Sequence, residues 1–293
     1  TRTESARLST LITNTMQSPI PHKKYNEGTP LLFAHANGYP PDCYTPLFDL
    51  LNGYQINAIR QRPLWDESQP KEIKDWHPLS DDLLRFMDEQ KTDKPIAIGH
   101  SMGGIAILRA ALREPERFSR VILLDPVLFP PYIIRFSNVI RALNLARKLH
   151  PLVPAAQKRR RVFKSRELIL RGYRNKVIFK YFSDEALEAY VNGITCPLGD
   201  GSYQLCYSAD WEVQIYVTGV WRDMELWREL PNLKPPLLII RGADTDTFHE
   251  SAGKLVKKKL PSAKVVTIPK STHLVPLEQP KMVAKEIEKF LGG

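Results

Sequence analysis

The chain contains no long apolar run. Its apolar runs, such as Val121 to Leu124 and Pro236 to Ile240, are short, far from the ~20 residues that a membrane-spanning helix needs. Cysteine is scarce as well, with three in 293 residues. An odd, sparse set excludes a disulfide framework, and its spacing fits no zinc site. Cys43, Cys196 and Cys206 therefore read as buried free thiols, with Cys196–Cys206 pairing reserved for an oxidising compartment. The first thirty residues are polar and hold no apolar signal core, which gives a cytoplasmic expectation. There is no internal repeat and no low-complexity linker. What remains is an ordinary globular composition, 43% hydrophobic and 25% charged, long enough for one large domain or a core with an insertion.

Acidic residues are rare in one place. Between Tyr132 and Tyr190 there are 14 Lys or Arg and 4 Asp or Glu, while the rest of the chain holds 28 of each. The whole net charge of +10 lies in that segment, including the run Lys158, Arg159, Arg160, Arg161. It reads either as a solvated helical face or as a field that attracts an anionic substrate or surface. No nucleic-acid motif or aromatic platform accompanies it, so nucleic acid is not an expected partner. Nothing in the sequence calls for a metal or a cofactor.

Short strands too apolar to face water alternate with helices. Strands are expected at Leu31 to Ala34, Tyr54 to Ile59, Pro95 to Gly99 and Val121 to Leu124. Helices are expected at Tyr44 to Leu51, Leu79 to Gln90 (capped by Ser80) and Met102 to Arg113. The alternation stops near Pro130-Pro131 and returns with a strand at Leu237 to Ile240. A helix near Ser251 to Lys259, a strand at Lys264 to Ile268 and a last helix from Pro280 to Leu291 follow. This predicts an α/β fold, a doubly wound, mostly parallel sheet covered on both faces. Residues 1–128 and 233–293 form the core, and 129–232 an inserted, mainly helical cap.

The strongest local signal is Gly99-His100-Ser101-Met102-Gly103-Gly104, a G-x-S-x-G between a strand and a helix. Such a turn must be sharp to lift the serine oxygen above the sheet, and Gly99 and Gly103 leave room for it. Gly104 and Ala106 suit close helix–sheet packing. A serine hydroxyl needs a base. His273, after the last strand, is placed for that role. The base needs a carboxylate in turn. Asp246 and Asp244, after the strand Leu237 to Ile240, are the first and second candidates. Asp125, at the end of the strand after the nucleophile helix, is a third, although a cap on the turn into Pro126 would explain it equally. Oxyanion donors are expected from the Met102 N–H and from Asn37, through its N–H and its side chain; Asn37-Gly38 also suits a plain turn.

These residues carry a resemblance. The G-H-S-M-G-G elbow and the segment Thr272-His273-x-x-Pro276-Leu277-Glu278-Gln279-Pro280 resemble the α/β-hydrolase superfamily, in its capped branch of esterases, carbon–carbon bond hydrolases, epoxide hydrolases and haloalkane dehalogenases. The resemblance covers both core segments. It implies a triad of Ser101, Asp246 and His273 and sets His35-Ala36-Asn37 on the family's His-Gly-x oxyanion segment. Two departures stand out. Ala36 replaces the usual glycine, and Asp246 lies four residues after Gly242 where the family commonly has Gly-x-x-Asp. Epoxide hydrolases and dehalogenases use an aspartate nucleophile, whereas Ser101 implies an acyl-enzyme. A carboxylic ester is the leading small-molecule substrate. Acyl thioesters and the carbon–carbon bond of a dienoic ring-cleavage product are the alternatives, and a non-catalytic receptor on the same fold is a distant one. Phe163, Tyr173, Tyr181, Phe182, Trp211 and Tyr216 are candidates to line an acyl pocket, or simply cap core.

Overall fold

A computed structural model describes residues 18–292. Residues 1–17, the start of the expected core and much of the polar leader reading, lie outside the described residues. In chain order the first half runs β1 (His22–Tyr25), β2 (Thr29–Ala34), a 3₁₀ turn Pro41–Tyr44, α1 (Thr45–Phe48), β3 (Tyr54–Ile59), α2 (His77–Glu89), β4 (Ile96–His100), α3 (Met102–Arg113) and β5 (Arg120–Leu124). The segment between β5 and β9, the expected insertion, holds α4 (Pro131–Ala142), α5 (Ala146–Leu149), α6 (Val153–Lys158), β6 (Val162–Phe163), α7 (Arg166–Arg174), α8 (Asp184–Ile194), β7 (Thr195–Pro197), β8 (Tyr203–Leu205), α9 (Ala209–Thr218) and α10 (Met224–Glu229). The core resumes with β9 (Leu237–Gly242), α11 (Glu250–Lys259), β10 (Lys264–Ile268), α12 (Val275–Glu278) and α13 (Pro280–Leu291).

Seven strands form one sheet in the order β1-β3-β2-β4-β5-β9-β10. All neighbours are parallel except the edge strand β1, which runs antiparallel to β3. The parallel strands other than the edge strand β10 are buried on both faces: β4 and β9 have no exposed residue, and the last four residues of β2, β3 and β5 are buried. One apolar cluster packs α2, α3 and α11 against one face, and a second packs α1 and α13 against the other. The chain leaves β2 in one direction to β3 and in the other to β4. The crevice above the ends of β2 and β4 is therefore the topological switch point, where open α/β sheets bind ligands.

The structure corrects several local expectations. The helix expected at Tyr44 to Leu51 is a 3₁₀ turn followed by a single α turn. Helix α2 starts at His77, and Ser80 lies inside it, its hydroxyl donating to the His77 carbonyl at 2.7 Å instead of capping the start. The insertion, read as helical, also carries a three-stranded antiparallel sheet, β6-β8-β7. Strands of two or three residues are too short to show a period of two. The β7–β8 pairing brings two thiols together: Cys196 and Cys206 form a disulfide with a Cα separation of 5.2 Å, and only Cys43 is a buried free thiol. No helix among the described residues is long and apolar enough to cross a membrane.

Candidate active site

Every expected site residue lies just beyond the C-terminal end of a parallel strand. Ser101 follows β4 and adopts φ 55°, ψ −118°, a left-handed backbone that a serine takes only when its surroundings impose it. The imposition is visible. Its N–H donates to the Leu124 carbonyl of β5 at 3.0 Å, and helix α3 begins so close to β2 that a Cβ on Gly103 would stand 2.2 Å from the Ala34 carbonyl oxygen. Glycine is therefore required at that place in the elbow.

The hydroxyl of Ser101 donates to His273 Nε2 at 2.8 Å, and His273 Nδ1–H donates to Asp125 Oδ1 at 2.9 Å. Asp125 is fully buried and Ser101 nearly so, while His273 keeps about a quarter of its side chain exposed (23%). The carboxylate against the imidazole is thus Asp125 and not the expected Asp246. Asp246 and Asp244 are both exposed. Asp246 accepts a hydrogen bond from its neighbour Thr247, and Asp244 accepts one from the Tyr181 hydroxyl of the insertion at 2.9 Å. The loop after β9 serves Asp125 rather than supplying an acid. The N–H of Gly242 donates to its Oδ2 at 2.8 Å, and the Thr245 hydroxyl and Phe248 N–H donate to its Oδ1 at 2.7 and 3.3 Å. Backbone strain marks the position as well, since Asp125 sits at φ 41°.

The histidine loop is anchored from below. Glu278 accepts the Thr272 N–H at 2.6 Å and the Thr272 hydroxyl at 3.0 Å. The loop crosses β9 at Gly242, where a Cβ would meet the Thr272 carbonyl oxygen at 2.1 Å. A second anchor escaped the sequence reading. His100 is fully buried, and burial together with the nearby His273 holds its pKa well below 6.5. Neutral, it donates from Nε2 to the His273 carbonyl at 2.9 Å and accepts at Nδ1 from the Tyr44 hydroxyl at 2.7 Å. Tyr44 in turn accepts the Ala36 N–H at 3.1 Å. One chain of hydrogen bonds thus links the loop after β2, the elbow and the base. The only sequence signal for it was a histidine inside the elbow and a tyrosine after Pro40-Pro41.

As the first residue of α3, Met102 has an N–H with no acceptor inside its helix, aligned with the positive end of the helix dipole. The Asn37 N–H has no acceptor among the described residues, but its carboxamide is already engaged, donating to the Glu212 carbonyl at 3.1 Å. That bond uses one of the two amide hydrogens, so the backbone N–H is the less encumbered donor at Asn37. Of the six aromatics named for a pocket, Phe163, Tyr173, Phe182 and Trp211 are buried in apolar clusters. Tyr181 and Tyr216 are partly exposed. Among the described residues no group of His, Cys, Asp or Glu is arranged to hold a metal ion.

Comparison with known proteins bears on the fold and the family. The model of the alpha/beta hydrolase family matches residues 31–286, and the chain belongs to that family. It is similar to the esterase YbfF of Escherichia coli (strain K12), 22% identical over 83% of this chain and 85% of that protein. It is also similar to the type I acyl-CoA thioesterase mpaH' of Penicillium brevicompactum, 28% identical over 44% of this chain and 33% of that one. Among solved structures, an E-2-(acetamidomethylene)succinate hydrolase shares the fold at a TM-score of 0.75 and 19% identity, covering 94% of this chain and 95% of the other.

Proposed function

We propose that the protein is a serine hydrolase that cleaves carboxylic esters through an acyl-enzyme, with Ser101 as nucleophile, His273 as general base and Asp125 as the acid. The relay of 2.8 and 2.9 Å through the two nitrogens of His273 carries this reading. The imidazole takes the Ser101 proton as the oxygen attacks the ester carbonyl, and Asp125 stabilises the imidazolium that forms. The oxyanion is received by the Met102 N–H, with the Asn37 N–H as second donor. Protonation of the alkoxide by His273 releases the alcohol, and a water activated by the same base hydrolyses the acyl-enzyme. Residues 129–232 act as a cap on a core made of 1–128 and 233–293, and the cap selects the acyl group.

A fluorophosphonate probe and a panel of p-nitrophenyl esters, acyl-coenzyme A thioesters and a dienoic diketone test the reading. Wild type should be labelled and should prefer the esters, and Ser101→Ala should be neither labelled nor active while folding normally. Full turnover by the alanine variant would overturn the mechanism. A preference for acyl-coenzyme A, or for the diketone, would move the substrate to the thioester or carbon–carbon class. Absence of labelling in wild type would favour a receptor.

A further inference from the structure

The first elements of the insertion turn their apolar residues outward. In α4, Tyr132, Phe136, Val139 and Leu143 recur at steps of four, three and four residues, which sets them within an arc of roughly 60°. All are exposed, Phe136 at 67% and Leu143 at 61%, whereas Ile134 on the opposite side of the helix is fully buried. Leu145, Leu149 and Leu152 continue the exposed apolar surface through α5 to the start of α6. Scattered exposed leucines are ordinary, but a contiguous stripe of this kind marks an interaction surface.

Its charge says what the partner is. From 131 to 164 there are nine Lys or Arg and no Asp or Glu. Arg135, Arg147, Lys148, Lys158, Arg160 and Lys164 are exposed, and none is in an ion pair among the described residues. A second copy of this chain, apposed through the same face, would set these six exposed cations against six. An anionic lipid surface answers both features, since acyl chains accept the apolar stripe and headgroups the basic rim. No helix of this segment is long and apolar enough to span a bilayer, so the segment lies on it.

We infer that α4 to α6 dock the protein on anionic lipid bilayers, with Tyr132, Phe136, Val139 and Leu143 entering the interface and the surrounding arginines and lysines on the headgroups. This stands independently of the ester-hydrolase reading. The helix follows Asp125 after only five residues, 126–130, and the indole N–H of Trp227 pins that connection at the Phe129 carbonyl, 2.8 Å. Docking therefore acts on the segment that leads directly from the candidate site.

Vesicle flotation of the full chain tests it, with phosphatidylcholine alone and with phosphatidylserine at about a third of the lipid. Binding to the anionic vesicles should be at least about ten-fold tighter and should weaken with salt. Phe136→Ser with Leu143→Ser should lower it by about ten-fold or more. Both side chains are exposed, so thermal unfolding should not change. Absence of binding, equal binding to both lipids, or binding indifferent to the double substitution would overturn the inference. So would a solution dimer that the double substitution dissolves, because that would make a second copy the occupant.

Discussion

Asp125 receives four hydrogen bonds: two from backbone N–H groups, one from the Thr245 hydroxyl and one from the imidazole of His273. A fully buried carboxylate is tolerable only when donors replace its water, and here they come from two segments, the loop after β9 and the His273 loop. Removing its charge should therefore damage both orientation and imidazolium stabilisation. Asp125→Asn is expected to lower kcat about 10⁴-fold, as in the serine protease precedent. Asp246→Asn, at an exposed side chain that bonds only its neighbour, should stay within about two-fold of wild type. Steady-state kinetics on the best ester decide the matter, and the reverse ranking would return the acid to the loop after β9. The sequence could not make this choice. Three aspartates follow two adjacent strands, and which carboxylate faces the base depends on how the two loops fold over one another. The spacing of Asp246 from Gly242, one residue longer than the family's common pattern, was the legible sign that this loop had another task.

At the scale of elements, the parallel core was readable almost to the residue. Strands buried on both faces appear as unbroken apolar runs, and β3, α3, β10 and α13 fall where the pattern put them. The edge strand β1, His22–Tyr25, was not readable, because it is half exposed and polar. The β6-β8-β7 sheet was missed because its strands are too short to show a period. Its disulfide was legible only as a pairing reserved for an oxidising compartment, because β7–β8 pairing, rather than cysteine spacing, brings Cys196 to Cys206. This bond closes a short loop, with ten residues of separation, for which the chain-entropy model gives about 2–3 kcal/mol. Reduction should lower the melting temperature by roughly 5 °C, and the denatured, unreduced protein should titrate a single thiol, that of Cys43. Three thiols and an unchanged transition would restore the expectation of free cysteines. Such bonds persist in oxidising compartments, so the same titration bears on the cytoplasmic expectation.

The whole molecule distributes its charge differently from the sequence picture of a uniform basic face. Helix α6 ends at Lys158. Arg159 then turns inward to pair with buried Glu212 at 3.1 Å, Arg160 lies over the Phe163 ring, and the terminal nitrogens of Arg161 are buried without an acceptor. The arginines keep their protons in acid; other buried groups do titrate there, and the sign follows from their shifts. His35 joins the loop after β2 to the chain after β3 by accepting the Gln61 N–H at Nε2, 3.1 Å, and burial lowers its pKa from 6.5 to about 4. Between those values the unfolded chain binds a proton that the folded state refuses. Its contribution is therefore present above pH 6.5 and lost as pH falls to about 4, amounting to about 3 kcal/mol. His100 acts in the same direction. Asp223 opposes them: burial, countered in part by Arg109, raises its pKa to about 6, so the folded state takes up its proton first and is relatively favoured on the acid side. Burial lowers His150 as well and raises Asp82 and Glu278, but only the unfolded histidines, with an ordinary pKa near 6.5, take up protons from pH 7 to 5 that the folded state refuses, so urea midpoints should fall over that range. The ring resonances of His35 and His100 should stay unprotonated throughout. If both rings titrate near 6.5, the neutral His100 bridge that holds the His273 loop is wrong.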